Sequence, residues 1–290
     1  MTTTSLLLFQ LANGLVWGLI VALLALGLNL VFGLLGVVNV AQGALYMLGA
    51  FLCWQVVQLT DSYLLGLAIA PVVVGLFGLF LDRWFLQPLN HDHDLSIIMT
   101  IGLALVIEQT MFAIYGADIR AIQSPITWSL PLLGIPYPGF RVVIAVAAVA
   151  ILAAFWAFLY FTRFGLWMRA VKYNAAIASS QGVPTQRVFA ITLGLGSALA
   201  AAGGVLAAPI VNVRHEMGFD IIITVFIVVI LGGLGNLAGG VVIAVAMATT
   251  EGLATAFTSP TNARLLTLLL LATVVIVWPN GVPLRPRGRT

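Results

Sequence analysis

Long uninterrupted apolar runs recur along the whole chain, and they constrain its fold more than any other feature. A helix that crosses the hydrocarbon core of a bilayer needs roughly 20 apolar residues, and runs of that length are separated here by little polar sequence. Of the 290 residues, 62% are hydrophobic and only 7% are charged, whereas about 25% of the residues in a soluble domain are charged. We therefore expect the bilayer to be the solvent for most of this chain.

The apolar runs are continuous rather than alternating, which favours helices over the strands of a membrane barrel. We predict an all-α polytopic membrane protein with eight to nine transmembrane helices and glycine-interrupted segments. The nine candidate spans are residues 6–32, 37–59, 64–85, 95–115, 142–161, 187–211, 219–231, 237–257 and 265–278.

Two of these spans have an open interpretation. The seventh is short and runs into the glycine-rich stretch 232–235, so the seventh and eighth are either two full crossings or one broken or re-entrant pair.

The first span lacks the basic flank of a secretory signal and is too long for one, so we expect it to be retained. The longest polar stretches, 116–141 and 162–186, are too short to bury a core of their own. Residues 1–290 are thus expected to form a single transmembrane domain.

The basic residues predict the orientation. If nine helices alternate, eight of the twelve lysines and arginines fall on one side of the membrane, and the positive-inside rule makes that side cytoplasmic. The N-terminus is then outside and the C-terminus cytoplasmic. The cytoplasmic set comprises Arg83, Arg163, Arg169, Lys172, Arg187, Arg285, Arg287 and Arg289, and the opposite set Arg120, Arg141, Arg214 and Arg264.

The polar segment 163–187 is the most informative loop. It is typical of a short amphipathic helix that ends at Gly182 and Pro184, with Arg169 and Lys172 outside the apolar stripe. Such a helix either lies at the interface, held by lipid headgroups and Trp167, or docks on a cytoplasmic partner and transmits force. The predicted stripe consists of Leu166, Trp167, Ala170, Val171, Ala175 and Ala178.

Ionisable residues inside apolar spans are candidates for function because they are costly to insert. Glu108 and Glu251 meet this criterion, each roughly 20 Å along its helix from the cytoplasmic end at about 1.5 Å per residue. They either line a solute path near its outer mouth or accept hydrogen bonds from neighbours such as Gln109 or Thr250. Asn29, Asn39, Gln42 and Asn236 are similar polar residues within spans. They are either further path candidates or, as is more usual for such side chains, interhelical hydrogen-bonding contacts.

Several kinds of chemistry find no support in the sequence. Lys172 is the only lysine, and no phosphate-binding loop surrounds it, so ATP hydrolysis by that route would need a separate subunit. The stretch 91–94 holds two histidines and two carboxylates, which is too few to enclose a metal ion from one loop, and a solvated turn is favoured. We predict no catalytic residue, no metal site and no nucleic-acid partner.

Four motifs occur in one order along the chain: Asn39-Val-Ala-Gln-Gly43, Arg163-Phe-Gly165 through Gly182-Val-Pro184, Leu231-Gly-Gly-Leu-Gly235 followed by Gly239, and Glu251-Gly-Leu. Together they resemble the branched-chain amino acid (Liv-type) permease subunits of ABC importers. The resemblance extends over nearly the whole chain, to Pro279-Asn-Gly281. It implies a permease that moves branched-chain or related small amino acids delivered by a binding protein.

The resemblance also implies an assembly. The partners would be a second permease subunit, identical or paralogous, two cytoplasmic ATPases that carry ATP and Mg, and an extracytoplasmic solute-binding protein, all at a bacterial inner membrane; this chain itself would hold no cofactor. The implied ATPase-coupling residues are Arg163, Gly165, Arg169, Lys172 and Gly182. The implied hinge or broken-helix glycines are Gly36, Gly43, Gly232, Gly233 and Gly235.

Two positions depart from the family pattern and leave the solute open. Thr224 stands where many members carry a basic residue, and Lys172-Tyr173-Asn174 replaces a more acidic stretch. One alternative is a gradient-driven transporter or channel for urea or an amide, with Glu108 and Glu251 as its ion site. Another is a structural subunit without a pathway. A permease served by a binding protein would need only a weakly binding, mostly apolar path.

Overall fold

The computed structural model describes residues 3–89, 92–124, 128–132 and 135–277. Within these ranges the chain forms eleven α-helices and one two-stranded hairpin. Their bounds are α1 Thr3–Leu35, α2 Gln42–Thr60, α3 Tyr63–Leu81, α4 His93–Tyr115, β1 Ser129–Leu132, β2 Ile135–Pro138, α5 Gly139–Phe161, α6 Arg163–Tyr173, α7 Ala175–Ser180, α8 Thr185–Val211, α9 Met217–Gly232, α10 Leu237–Ala254 and α11 Pro260–Val277. A π-helical turn, Asp82–Leu86, and a 3-10 turn, Gln87–Leu89, extend α3.

Seven helices in the described part of the chain are long and apolar enough to cross a membrane. They belong to α1, α2, α3 with its extension, α4, α5, α8 and α10. The apolar helix α9 is shorter, with 16 residues, and α11 has 18. The predicted polytopic, helical membrane fold is therefore confirmed, while seven is fewer than the predicted eight to nine crossings. The hairpin β1–β2 is a small exception to the all-α prediction.

Helix α1 lies at the centre of the bundle, and glycines bring its neighbours close. An ideal Cβ at Gly14 would lie 2.5 Å from the carbonyl oxygen of Ala248, and one at Gly18 would lie 2.9 Å from the Cα of Val245. Both contacts join α1 to α10, as expected for a G-x-x-x-G spacing. Because lipid provides no hydrophobic drive between helices, such backbone proximity is what holds α1 in place.

Helix α8 packs between α2 and α3 by the same means. A Cβ at Gly49 of α2 would lie 2.5 Å from the Cα of Ala201, and a Cβ at Gly204 would overlap the carbonyl of Tyr46. The Tyr63 hydroxyl donates to the carbonyl of Val205 at 2.9 Å, which ties the start of α3 to α8. Helices α1, α2 and α8 thus form the buried core of the molecule.

The second predicted span, 37–59, starts too early, because α2 begins only at Gln42. The preceding residues run as irregular backbone from Gly36, whose φ is +70°. Two side chains of α4 satisfy this backbone: His93 Nδ1 donates to the carbonyl of Gly36 at 2.6 Å, and the Thr100 hydroxyl accepts from the Val40 N–H at 3.2 Å. Non-helical backbone is tolerated at membrane depth where protein groups bond to it in this way.

The two ends of the bundle separate the two groups of basic residues. Lys172 of α6 reaches the turn between α9 and α10, and we call this the α6 end. At the opposite, hairpin end, Arg120 pairs with Val213 through backbone hydrogen bonds, Arg141 donates to Asn13, and Arg264 donates to the Asp220 carbonyl. This separation agrees with alternating crossings. The tail arginines lie outside the described residues.

Candidate functional site

The glycine-rich stretch forms a tight turn between α9 and α10. Gly233 and Gly235 have φ of +88° and +77°, a left-handed conformation that L side chains rarely adopt. A Cβ at Gly232 would lie 2.5 Å from the Gly240 nitrogen, so the two helices meet backbone to backbone directly beside the turn. The Asn236 side chain then caps α10 by accepting from the Gly239 N–H at 3.1 Å.

Asn29 of α1 fastens this turn to the centre of the bundle. Its Oδ1 accepts from the Gly235 N–H at 3.0 Å, and its Nδ2 donates to the Asn236 carbonyl at 3.2 Å. The side chain is fully buried. One amide therefore satisfies the Gly235 N–H and gives a second donor to the Asn236 carbonyl, which also accepts from the Gly240 N–H at 3.0 Å.

We predict that Asn29→Leu destabilises the protein without blocking its insertion. The substitution keeps the number and branching of the side-chain heavy atoms but leaves the Gly235 N–H unpaired, and an orphaned buried donor costs about 1–3 kcal/mol. The Asn236 carbonyl keeps its hydrogen bond from the Gly240 N–H. The melting temperature of the purified protein in nanodiscs should fall by several degrees. Asn13→Leu, at the hairpin end of the same helix, removes only partly buried contacts with Arg141 and Gln10 and should have a smaller effect; equal shifts would contradict the assignment.

Lys172 connects the polar segment 163–187 to the same turn. Its ammonium donates to the Gly235 carbonyl at 2.6 Å. Arg169, one turn earlier, places its guanidinium 4.9 Å from the centre of the Tyr160 ring of α5. The sequence predicts both cations outside the apolar stripe, and the structure adds that both rest against the transmembrane bundle.

The segment 163–187 folds as two helices, which corrects the prediction of one. α6 begins after Thr162, whose hydroxyl accepts from the Gly165 N–H at 3.0 Å. It ends at Tyr173 because Asn174 adopts an extended conformation and caps α7 by accepting from the Ile177 N–H. Gly182, with φ of +85°, follows α7.

The predicted apolar stripe of this segment is also partly wrong. The buried residues of α6 are Gly165, Met168 and Val171, whereas Leu166, Trp167 and Ala170 are exposed. The cause is Gly165: a Cβ there would overlap the carbonyl of Leu159, so α6 turns its glycine face onto the end of α5. Arg163 and the exposed apolar side chains then face away from the bundle.

Two path candidates, Asn39 and Gln42, and the predicted hinge glycine Gly43 cluster where α2 begins. The Asn39 side chain accepts from the Ala41 N–H at 3.1 Å, and Gln42 Nε2 donates to the Gly196 carbonyl of α8 at 3.0 Å. Gln42 Oε1 is buried without a hydrogen-bond partner in the described structure. Gly43 contacts the backbone of α9, where a Cβ would overlap the Gly218 carbonyl. These groups hold the irregular entry to α2 against α8 and α9.

A cavity of about 230 Å³ opens at the hairpin end, and we call it the outer cavity. It lies between α1, α2 and the segments from the end of α8 to α11. Glu251 is the one predicted path residue in its wall. The lining residues are Trp17, Tyr46, Val211, Arg214, Met217, Asp220, Ile221, Thr224, Glu251 and Arg264.

Charged groups of both signs face one another around the outer cavity. The Arg214 guanidinium pairs with the Asp220 carboxylate, and both side chains remain about half exposed. Arg264 Nη2 donates to the Asp220 carbonyl at 3.0 Å. The Glu251 carboxylate has no hydrogen bond or ion pair within the described residues, although it interacts electrostatically with Arg264.

Glu108 lies at the same end of the bundle but outside the outer cavity. It is partly exposed and interacts electrostatically with His215, Glu216 and Asp220. The alternative hydrogen-bond donors suggested by the sequence do not serve the glutamates: the Thr250 hydroxyl donates to Ala246 of its own helix, and Gln109 is exposed. Glu108 and Glu251 therefore lie apart, and of the two only Glu251 lines the outer cavity.

Sequence reasoning missed most of the outer cavity. Arg214 and Arg264 entered only as markers of orientation, and Tyr46 lay within an apolar span. One signal was available: Asp220 follows Arg214 closely and begins the short seventh span, so ion pairing across the start of that helix was predictable.

The stretch 91–94 serves the fold. His91 lies outside the described residues, while Asp92 caps α4 by accepting from the N–H groups of Asp94 and Leu95 at 3.1 Å each. His93 bonds to Gly36. In the described ranges, no group of three or more histidine, cysteine or acidic side chains is arranged to hold a metal ion.

Comparisons with known proteins agree with the motif pattern. Residues 10–277 match the family model described as the branched-chain amino acid transport system permease component. The chain is 27% identical to the high-affinity branched-chain amino acid transport system permease protein LivH of Salmonella typhimurium, over 96% of this chain and 95% of the relative. It is 26% identical to LivH of Escherichia coli and 25% identical to BraD of Pseudomonas aeruginosa, with the same coverage. No solved structure matches the chain significantly.

Proposed function

The chain belongs to the family of branched-chain amino acid transport system permease components, and from this premise we propose that it forms the membrane path of an ABC importer for branched-chain amino acids. The observation that carries the proposal is the family match over residues 10–277, together with relatives aligned over nearly their full length. The chain is accordingly a transport subunit and not an enzyme.

We propose nine crossings, with α9 and α11 as the two beyond the seven long helices. At about 1.5 Å per residue, the 16 residues of α9 span about 24 Å, which is less than a hydrocarbon core of about 30 Å. The glycine turn then lies within the membrane thickness, where its backbone needs protein partners, and Asn29 and Lys172 supply them. The α6 end is cytoplasmic in this arrangement, and both the N-terminus and the outer cavity face the outside.

The assembly proposed around this chain has three kinds of partner at a bacterial inner membrane. A second permease, identical or paralogous, completes the path, two cytoplasmic ATPases bind ATP and Mg, and a solute-binding protein delivers the amino acid. The exposed outer face of α6 and α7 supports an ATPase contact, because Leu166, Tyr173 and Ile177 are more than half exposed there.

Force from the ATPases would reach the path through α6. Movement of α6 would pull on the Gly235 carbonyl through Lys172, at the turn where Gly233 and Gly235 have left-handed backbone. Rocking of helices between two packed arrangements is the usual form of such a transition. Gly233 and Gly235 then act as hinges, and Arg163, Arg169 and Gly182 position the segment.

We predict that Arg169→Glu weakens the coupling of ATP hydrolysis to uptake by about two- to fivefold. The change removes a cation–π contact worth about 0.5–1 kcal/mol at an exposed site and reverses the charge presented beside the ATPase. The ratio of amino acid transported to ATP hydrolysed should fall in proteoliposomes. Wild-type coupling in this variant would refute the role of the segment.

The proposal is tested by reconstituting the chain with its partner permease, ATPases and binding protein in proteoliposomes. Binding protein loaded with leucine should stimulate both ATP hydrolysis and uptake. Uptake that occurs without any ATPase and follows an ion gradient would overturn the proposal in favour of a secondary transporter. Failure of any ATPase to co-purify would favour a structural subunit instead.

A further inference from the structure

We infer that the outer cavity is a binding site for a zwitterionic α-amino acid. Side chains of this chain bind the ammonium and the carboxylate groups of the solute there. The inference rests on the proposed function for the direction of transport, but its evidence is the cavity. It replaces the expectation of a merely apolar, weakly binding path.

The charges of the cavity balance one another, as the charges of a zwitterion do. Two guanidinium groups, from Arg214 and Arg264, and two carboxylates, from Asp220 and Glu251, line one space. Asp220 is already paired with Arg214, whereas the carboxylate of Glu251 has no partner in the described structure. Glu251 is therefore the group available for an ammonium, and Arg264, which interacts with Glu251 electrostatically and lines the same space, is the group assigned to the carboxylate.

Two hydroxyl groups in the cavity wall also lack a hydrogen-bond partner within the described residues. Tyr46 is 1% exposed and Thr224 is 9% exposed, yet neither hydroxyl makes a hydrogen bond within the described residues. Tyr46 is close enough to Asp220 and Arg214 to interact with both electrostatically. Hydroxyl groups that line a cavity without a protein partner are available to donate to, or accept from, a polar ligand there.

The remaining wall is apolar and suits an aliphatic side chain. Trp17, Met217 and Ile221 supply large apolar surfaces, and Val211 completes them. The volume of about 230 Å³ is just below the range of about 300–1,000 Å³ that is usual for drug-sized ligands. A solute of this size with one charged end and one branched apolar end fits both parts of the wall.

The inference is tested on the complete permease–ATPase complex in nanodiscs, without binding protein, by equilibrium titration monitored with saturation-transfer NMR. The probes are leucine, isoamylamine, which lacks the carboxylate, and isocaproate, which lacks the ammonium. Leucine should bind at least tenfold more tightly than either analogue. Equal affinities for the three probes would overturn the inference.

Glu251→Gln locates the ammonium contact. It should weaken leucine and isoamylamine at least tenfold and leave isocaproate unchanged, because only the first two carry an ammonium. Thr224→Val keeps the side-chain shape but removes the hydroxyl. It should weaken the binding of leucine and isocaproate, the two probes that carry a carboxylate, about threefold. This variant tests the site if Glu251→Gln fails to assemble. Asp118→Asn removes an exposed carboxylate at the same end and should leave all three affinities within twofold.

Failure of the inference is distinguishable from failure of the proposed function. If Glu251→Gln and Thr224→Val both bind leucine as the wild type does, while the reconstituted importer takes up leucine, the site is wrong and the function stands. If the selective loss of ammonium-bearing probes appears although binding protein fails to drive uptake, the site stands and the importer assignment falls.

Discussion

Gly239→Ala is expected to prevent most of the permease from folding in the membrane. The new methyl group would overlap the carbonyl of Gly232 and lie 2.6 Å from Asn236 Nδ2. The methyl group would meet the backbone carbonyl of Gly232 where α9 and α10 lie backbone to backbone. The overlap can be removed only if the two helices move apart. Overpacking costs about 1–3 kcal/mol where side chains can adjust, and we expect at least the upper value here because the obstacle is backbone.

The measurement is the yield of monodisperse protein after detergent extraction, with the melting temperature of whatever survives. Gly102→Ala is the matched control, because Gly102 lies inside α4 and a Cβ there meets nothing within 4 Å. In water-soluble hosts, alanine favours a helix interior over glycine by about 1 kcal/mol, so this control should fold at least as well as the wild type. Equal yields for the two variants would show that α9 and α10 are not held by backbone contact.

The apolar runs predict much of the fold because insertion in a bilayer depends on local sequence. The first span is predicted at 6–32, and α1 runs Thr3–Leu35. The fifth is predicted at 142–161, and α5 runs Gly139–Phe161. Hydropathy sets these lengths, and alternation with the basic residues sets the direction of each helix. Neither step requires knowledge of which helices touch.

The errors occur where a distant residue decides the local structure. The stretch before Gln42 is apolar enough to extend α2, but His93 and Thr100 of α4 bond to its backbone and hold it irregular. The buried face of α6 is set by Gly165 meeting Leu159. Hydrophobic periodicity cannot register either contact, because both depend on packing between helices.

The candidate site was predictable in kind but not in arrangement. Glycine interruptions and intramembrane glutamates mark positions of interest from sequence alone, and Glu251 does line a cavity. Its neighbours Arg214 and Arg264 sit at the ends of other helices, where a basic residue is normally a marker of topology. Only the folded arrangement shows that they face the same space.

Helix α9 links the two polar regions of the molecule. One end joins the glycine turn that Lys172 and Asn29 hold, and the other carries Asp220 and Thr224 into the wall of the outer cavity. An axial shift or tilt of α9 at the turn would therefore move two lining residues of the cavity. This geometry provides a direct route from the cytoplasmic segment to the solute.

Lys172→Met is accordingly expected to abolish most uptake while sparing ATP hydrolysis. Methionine fills a similar volume but cannot donate to the Gly235 carbonyl, and a hydrogen bond from a charged group contributes about 1.5–3 kcal/mol. At 1.4 kcal/mol per factor of ten, coupling between α6 and the turn should weaken by about 10- to 150-fold. In proteoliposomes, ATPase activity should persist and leucine uptake per ATP should fall by at least tenfold.

Arg187→Met provides the control. It removes a cation at the same end of the bundle, at the exposed start of α8. Arg187 has no bonding partner within the described residues. This variant should leave the ratio of uptake to ATP hydrolysis within twofold. If Lys172→Met also leaves that ratio unchanged, force does not pass through the Gly235 carbonyl, and α6 must act on the path through its packing against α5. If Lys172→Met instead prevents assembly with the ATPases, the bond is a structural support of the docking segment, and its role in transmission is refuted.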